Sequence, residues 1–458
     1  MFNTHLRTVM FALTSLAFLA FAVCTVAEAQ MLGAPPRPAP TVSVQMQALP
    51  AIEKPIIPLD PDKATAAYLA RVSDNATARS NAYVDGGYLL QLVDVVYVLV
   101  VMGLLLWLRI SARLRGIAQN LTRSRFWQTP IYFVLFFIIT TLAVFPLTLY
   151  EGFFREHAYG LSNQSITQWL GDFGKEFAVG LILATILVTL LYAGIRKARR
   201  GWWLWGTGLT IVFAAFMLLI FPVFLAPLFN HYTVLPNGPV KQQIQSLARA
   251  NGVPADDVFV FDASRQSNRI SANVSGLFGT TRIALTDTLL KRTSPAETKA
   301  VLGHEIGHYV LGHTLTGLLW LSLVLLVGFW FASFAFRVFT SLFGGNWDVR
   351  TIDDPAGLPV LYAAFTVFML LATPFTNTIT RTAETEADIF GLNAVRQPDA
   401  FATVALKLGE YRKLEPSHWE EILFFDHPSG RSRIAMAMRW KKEHLADPDI
   451  RNGPVSPQ

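Results

Sequence analysis

Cys24 is the chain's single cysteine in 458 residues. A disulfide framework is therefore excluded, and so is a metal centre built on thiolates. Any metal ion must be held by His, Asp or Glu. Charge is scarce too, at 15% of residues against 52% hydrophobic. With a mean hydropathy of +0.38, this is the composition of a protein embedded in a bilayer. The net charge of +6 comes from short arginine runs beside apolar segments, which leaves no basic face for nucleic acid. No internal repeat of the transporter kind is visible.

The residues that are present divide the chain. Residues 1–29 read as an export signal: Arg7 is the positive flank, "VMFALTSLAFLAFAV" the apolar region and "AEA" the small-residue cleavage site. An uncleaved first membrane helix is the other reading of this stretch. Residues 30–86, rich in proline, alanine and polar side chains, suit an exported and loosely structured segment. Four long apolar runs follow within 87–229: Tyr88 to Leu108, Pro130 to Tyr150, Phe177 to Ile195, and one opening on the aromatic belt at Trp202. Two more, Leu315 to Phe336 and Leu358 to Phe375, lie within 315–378. Between them, residues 230–314 change character. "VKQQIQSLARANGV" has helical periodicity, while "DVFVFDAS" and "TRIALTDTLL" contain short β-type runs. Residues 379–458 are again polar and helical. The expected fold is a predominantly α-helical multi-pass membrane protein whose catalytic module, with a small β-sheet, is split around the last two membrane helices.

The chemistry is concentrated in "VLGHEIGHYVLGHT", starting at Val301. His304, Glu305 and His308 form H-E-x-x-H. Residues four apart share a helix face, so both imidazoles can bind one Zn²⁺ while Glu305 takes a proton from water. Ser294, Pro295 and Glu297 supply the start signals of that helix. A third protein ligand is needed, and "RTAETEADIFGL" offers Glu384, Glu386 and Asp388. Glu384 and Asp388 share a face: one can bind metal while the other accepts a hydrogen bond from a ligating histidine. His313, five residues past His308, points elsewhere on an unbroken helix and reads as a supporting or helix-end residue. The bland alternatives are a polar helix face at the membrane surface and a solvated acidic turn.

Taken together, "HEIGHYVLGHT", "RTAETEADIFG" and "DHPSGRSRI" resemble the type I CAAX prenyl endopeptidases, integral-membrane zinc proteases. "LYEGFFREHAYGLSNQS", "LAPLFNHYTVLPNG" and "RIALTDTLL" extend the likeness in the same order from about residue 85 onward. HtpX-type membrane proteases share only the metal motifs and match less well in length. The resemblance implies one Zn²⁺ per chain with His304, His308 and Glu384 as ligands, Asp388 behind them, and Glu305 as the base. It also implies His427 steadying the tetrahedral oxyanion, with Arg433 as the matching arginine six residues on. "RQSNRISANVSGLFGTTRIAL" takes the place of the family's substrate-binding edge strand, with Ser271, Ala272 and Asn273 as the contact residues. There the pattern departs from the family. An Asn-Ala pair of the eukaryotic members reads Ser271-Ala272, and Asn273 comes one position late.

The expected partners are a peptide or protein substrate and membrane lipid. Nothing in the sequence specifies the oligomeric state. Two rival functions stand beside a CAAX-type protease: the same chemistry directed at misfolded membrane proteins, and a scaffold with a vestigial metal site. Orientation can also be read. The basic loops "RISARLRG…TRSR" and "RKARR" are short and adjoin spans, which keeps them cytoplasmic, and an export signal before residue 31 agrees. Both place the catalytic module on the exported side of a bacterial-type inner membrane, whereas the eukaryotic relatives face the cytosol.

Overall fold

A computed structural model describes residues 58–198, 200–254, 257–275 and 281–451. The expected export signal and Cys24 lie outside these residues. The loosely structured stretch expected up to residue 86 is instead helical from residue 61. α1 (Pro61–Leu69) is capped by Asp60, and α2 (Asp74–Trp107) by Ser73. Capping by short polar side chains fixes both starts, and the alanine-rich sequence between them favours helix. α2 therefore begins well before the apolar run that marks its membrane part.

α3 (Ile110–Leu121) is a short connecting helix. α4 (Arg125–Leu149) continues through a π-helical turn at Tyr150–Arg155. α5 (Ile166–Lys197) and α6 (Trp202–Ile220) complete the first membrane group. Their inward faces share a core that includes Tyr132, Phe136, Phe137, Leu187 and Tyr192. Leu142, Trp205 and Val212 are exposed on the outside, where lipid replaces water as the partner of an apolar surface.

The module that follows contains β1 (Tyr232–Val234), α7 (Pro239–Ala250), β2 (Val258–Phe261), β3 (Ala272–Ser275) and β4 (Arg282–Thr286). The sheet order is β1-β2-β4-β3, with β2 and β4 parallel and the other pairs antiparallel. β2 and β4 thus fall where the β-type runs were expected, β1 was not foreseen, and β3 is an edge. α8 (Asp287–Arg292) leads to α9 (Pro295–Leu311), whose start is the capping box of Ser294 and Glu297.

α10 (His313–Trp347) and α11 (Leu358–Val395) are the last two membrane helices. In all, six described helices are long and apolar enough to cross a bilayer. α11 runs without a break past residue 379, so one rigid rod carries both a membrane span and the acidic cluster. α12 (Pro398–Leu408), α13 (His418–Phe424) and α14 (Gly430–Glu443) close the module. α1 packs on this C-terminal part: Tyr68 joins its core and donates to Asp399 Oδ1 at 2.7 Å. The start of α2 and the catalytic module therefore lie on the same side of the membrane group.

Candidate metal centre and active site

α9 and α11 meet along small residues. A Cβ on Gly307 would lie 3.1 Å from Ala387 Cα, and one on Gly391 would lie 2.9 Å from the His304 amide nitrogen. Only glycine permits that approach, and it brings Glu384 and Asp388 of α11 under the two histidines of α9. His304 Nε2 and His308 Nε2 are 3.1 Å apart. Glu384 Oε2 is 3.2 Å from His304 Nε2, and its Oε1 is 3.4 Å from His308 Nε2. One donor atom from each of these three residues lies within 4.8 Å of the others.

The partners behind the histidines define their protons. Asp388, fully buried, faces His304 Nδ1 at 2.7 Å. An ionised carboxylate can only accept, so Nδ1 carries a proton, and in the neutral ring Nε2 presents a lone pair. The buried oxygen Glu384 Oε2 has no hydrogen bond. Converging lone pairs from two imidazoles and a carboxylate, with one oxygen unsatisfied, fit a divalent cation. Burial opposes charge on His304, but the Asp388 and Glu384 carboxylates hold its imidazole up to about 10. The pocket thus favours positive charge at this point.

Glu305 is half-buried and lines the same cleft of about 370 Å³. Burial pushes its carboxyl above the ordinary carboxylate range, with His304 and His308 pulling the other way. His427 Nε2 comes within 3.3 Å of Glu384 Oε1, and its Nδ1 is 2.8 Å from Asp426 Oδ1. Arg433, the arginine six residues past His427, gives its guanidinium to Asp388. Its Nε donates to Asp388 Oδ2 at 2.8 Å, and a terminal nitrogen donates to Oδ1. Glu386 is turned away from the three ligand atoms, with 57% of its side chain exposed.

β3 forms one wall of the cleft. Thr286 N–H donates to Ser271 O at 3.0 Å, and β3 pairs antiparallel with β4 in the register Asn273↔Ala284. By the alternation of such a ladder, the N–H and C=O of Ala272 and Val274 turn to the open edge. The Asn273 side-chain oxygen is buried without a hydrogen bond.

Two features escaped the sequence reading, and a third was read on a wrong premise. Asp426 supports His427, and adjacency to the histidine was the available signal. Arg269 binds Glu156 Oε2 at 2.9 Å and Tyr83 Oη at 2.7 Å, tying the approach to β3 to α2 and to the residue just past the π-helical turn; no spacing foretells so distant a contact. The third is His313. Gly312 takes a left-handed φ of 75°, which breaks the helix and swings His313 back to 2.8 Å from His308 Nδ1. The argument that it points elsewhere assumed an unbroken helix, although its reading as a supporting residue stands. The glycine was the overlooked stop signal.

Six apolar helices and a His-His-Glu cluster beside a glutamate define an integral-membrane metalloendopeptidase. The chain belongs to peptidase family M48, whose model matches residues 235–441; residues 61–231 match the CAAX prenyl protease N-terminal model, described as five membrane helices. It is 30% identical over 330 residues to the uncharacterized metalloprotease YhfN of Bacillus subtilis, covering 72% of this chain and 77% of that protein. It is 24% identical over 385 residues to the human CAAX prenyl protease 1 homolog, covering 74% and 79%. The crystal structure of S. mikatae Ste24p superposes with a TM-score of 0.68 at 20% identity, covering 95% of this chain and 99% of that one.

Proposed function

We propose that the chain is a zinc endopeptidase that cleaves extended peptide segments presented at the membrane surface, with its active site on the exported side. The observation that carries this reading is the grouping of His304, His308 and Glu384, whose ligand atoms all lie within 4.8 Å of one another. Two nitrogens and one carboxylate oxygen match the protein ligands of a catalytic zinc site, which leaves a position open. When bound, the metal polarises the scissile carbonyl and acidifies water.

The chain's own residues do the rest. Glu305 accepts the proton of the attacking water as the O–C bond forms, then delivers it to the leaving nitrogen as the C–N bond breaks. His427, across the cleft and steadied by Asp426, is placed to donate to the oxyanion. Arg433 and Asp388 act one step back, holding His304 in its Nδ1–H tautomer. An extended peptide adds to the open edge of β3 through the backbone of Ala272 and Val274. Ser271 and Asn273 flank that edge; the side-chain oxygen of Asn273, buried without a hydrogen bond, can accept from a substrate N–H.

Cleavage of a quenched peptide by the detergent-purified chain, with and without chelator, tests the enzyme. Glu305→Gln is expected to keep its metal and lose roughly 10²–10⁴-fold in rate, whereas His304→Ala loses the metal itself by elemental analysis. Near wild-type cleavage by Glu305→Gln would remove the proposed base. A prenylated peptide cut no faster than its plain counterpart would count against a CAAX-type substrate, the class named for several relatives, and favour a quality-control protease.

A further inference from the structure

The two histidines are supported differently. Behind His304 stand Asp388, fully buried, and Arg433. Behind His308 the support is another imidazole: His308 Nδ1 lies 2.8 Å from His313 Nδ1, and His313 Nε2 lies 3.0 Å from Glu386 Oε2. His313 is itself buried, its side chain only 4% exposed, whereas Glu386 reaches the surface. Two ring nitrogens at hydrogen-bond distance must share one proton between them. Read from the outer end, the assignment is forced. The Glu386 carboxylate can only accept, so His313 Nε2 carries a proton and, in a neutral ring, His313 Nδ1 does not. His308 Nδ1 must then be the donor, which leaves the lone pair of His308 on Nε2, facing Glu384 and His304.

We infer that His313 and Glu386 are positioning residues for the metal site: a hydrogen-bonded relay, made possible by the helix break at Gly312, that locks His308 as the Nδ1–H tautomer. The inference rests on the reading of His304, His308 and Glu384 as ligands, and goes beyond it by giving the His308 side its own support. A simple structural role for His313 predicts something else. A buried histidine that only fills space would leave metal affinity unchanged when replaced by an apolar side chain of similar bulk. Its loss would appear in the stability of the metal-free fold instead.

The test is Zn²⁺ affinity by chelator competition, with the melting temperature of the chelator-stripped full chain as the second readout. His313→Leu is expected to bind Zn²⁺ about 10–100-fold more weakly. His313→Asn, whose side-chain oxygen takes the place of the ring Nδ1 and can accept from His308 Nδ1–H, is expected to recover most of that loss. Glu386→Lys covers the case in which His313→Leu fails to fold, because it alters only an exposed side chain. An ammonium in that place cannot accept from His313 Nε2–H and instead donates to Nε2, which moves the ring proton to Nδ1 and sets His313 against His308 donor to donor. This variant is measured in 1 M salt, where the Debye length is about 3 Å and the added charge is screened. A clear loss of affinity there, with the stripped proteins melting together, supports the relay. Wild-type affinity in Glu386→Lys, or in a folded His313→Leu, overturns it. His304→Ala run alongside separates the two readings: if it also keeps its zinc, the metal site itself is misassigned, and if it alone loses zinc, only the relay fails.

Discussion

Gly391 crosses beneath His304 so closely that a single added methyl group would meet the histidine's amide nitrogen at 2.9 Å. The metal site is therefore set by backbone contact between α9 and α11, before any side chain reaches across. A methyl at Gly391 cannot be absorbed by a side-chain rotation, because the atoms it meets are main chain. Gly391→Ala must part the two helices, at a cost of about 1–3 kcal/mol, and must pull Glu384 away from His304 and His308. We expect it to lower both melting temperature and metal content. Gly174→Ala is the control: in helix α5 nothing lies within 4 Å of the added methyl, so it is expected to be neutral or slightly stabilising. Equal behaviour of the two variants would show that α9 and α11 are not held at contact.

Glu384 and Glu386 set up a second comparison. Residues two apart on a helix point about 200° apart, so only one of them can face the histidines, and that one is Glu384. Glu384→Ala is expected to remove the metal. Glu386→Ala is expected to weaken binding only a few-fold, since water can take the place of an exposed carboxylate as acceptor for His313. Elemental analysis after gel filtration decides between them, and a larger loss in Glu386→Ala would reassign the third ligand.

How much of this was legible in the sequence follows from the distance over which each signal acts. His304, Glu305 and His308 could be read because four residues make one turn, a local fact. The capping box of Ser294 and Glu297 and the strands at Val258–Phe261 and Arg282–Thr286 were likewise local. The acidic cluster was half legible. Periodicity pairs Glu384 with Asp388 but does not say which reaches the metal; the glycine seam decides that by setting the depth at which α11 crosses α9. Arg433 was read only through resemblance, as the arginine six residues after His427. Its bond to Asp388 depends on a helix fold-back that no local pattern encodes. The helical start of α2, placed in a loose segment, was lost because proline and alanine counts over residues 30–86 averaged two different stretches.

The Arg433–Asp388 pair gives a third prediction. Asp388 has no exposure to solvent, so removing its guanidinium partner strands a buried charge, which costs about 3–5 kcal/mol. Arg433→Met is expected to melt well below wild type. Asp388→Asn combined with Arg433→Met removes both charges and is expected to regain most of the stability, but not the metal affinity, because His304 loses its ionised acceptor. If the double variant bound zinc normally, the chain from Arg433 through Asp388 to His304 would play no part in holding the metal.

The last prediction concerns the side of the membrane on which the metal site faces. α1 packs against the C-terminal helices, so the segment preceding α2 and the catalytic module share one side, as an even number of spans requires. The opposite side carries the arginine-rich connections around α3 and between α5 and α6. There Arg115 is buried and bonded to Asp354 Oδ2 at 2.6 Å, but the retention of short loops follows their Lys and Arg content, to which acidic partners contribute little. The basic side is therefore expected to be cytoplasmic and the catalytic side exported. Ser246, exposed on α7, and Ser124, exposed at the start of α4, report on the two sides once Cys24 is replaced by serine. In intact cells a membrane-impermeant thiol reagent is expected to label Ser246→Cys and to reach Ser124→Cys only after permeabilisation. The reverse pattern, with both proteins present at equal level, would turn the molecule over in the membrane and place its substrates in the cytosol.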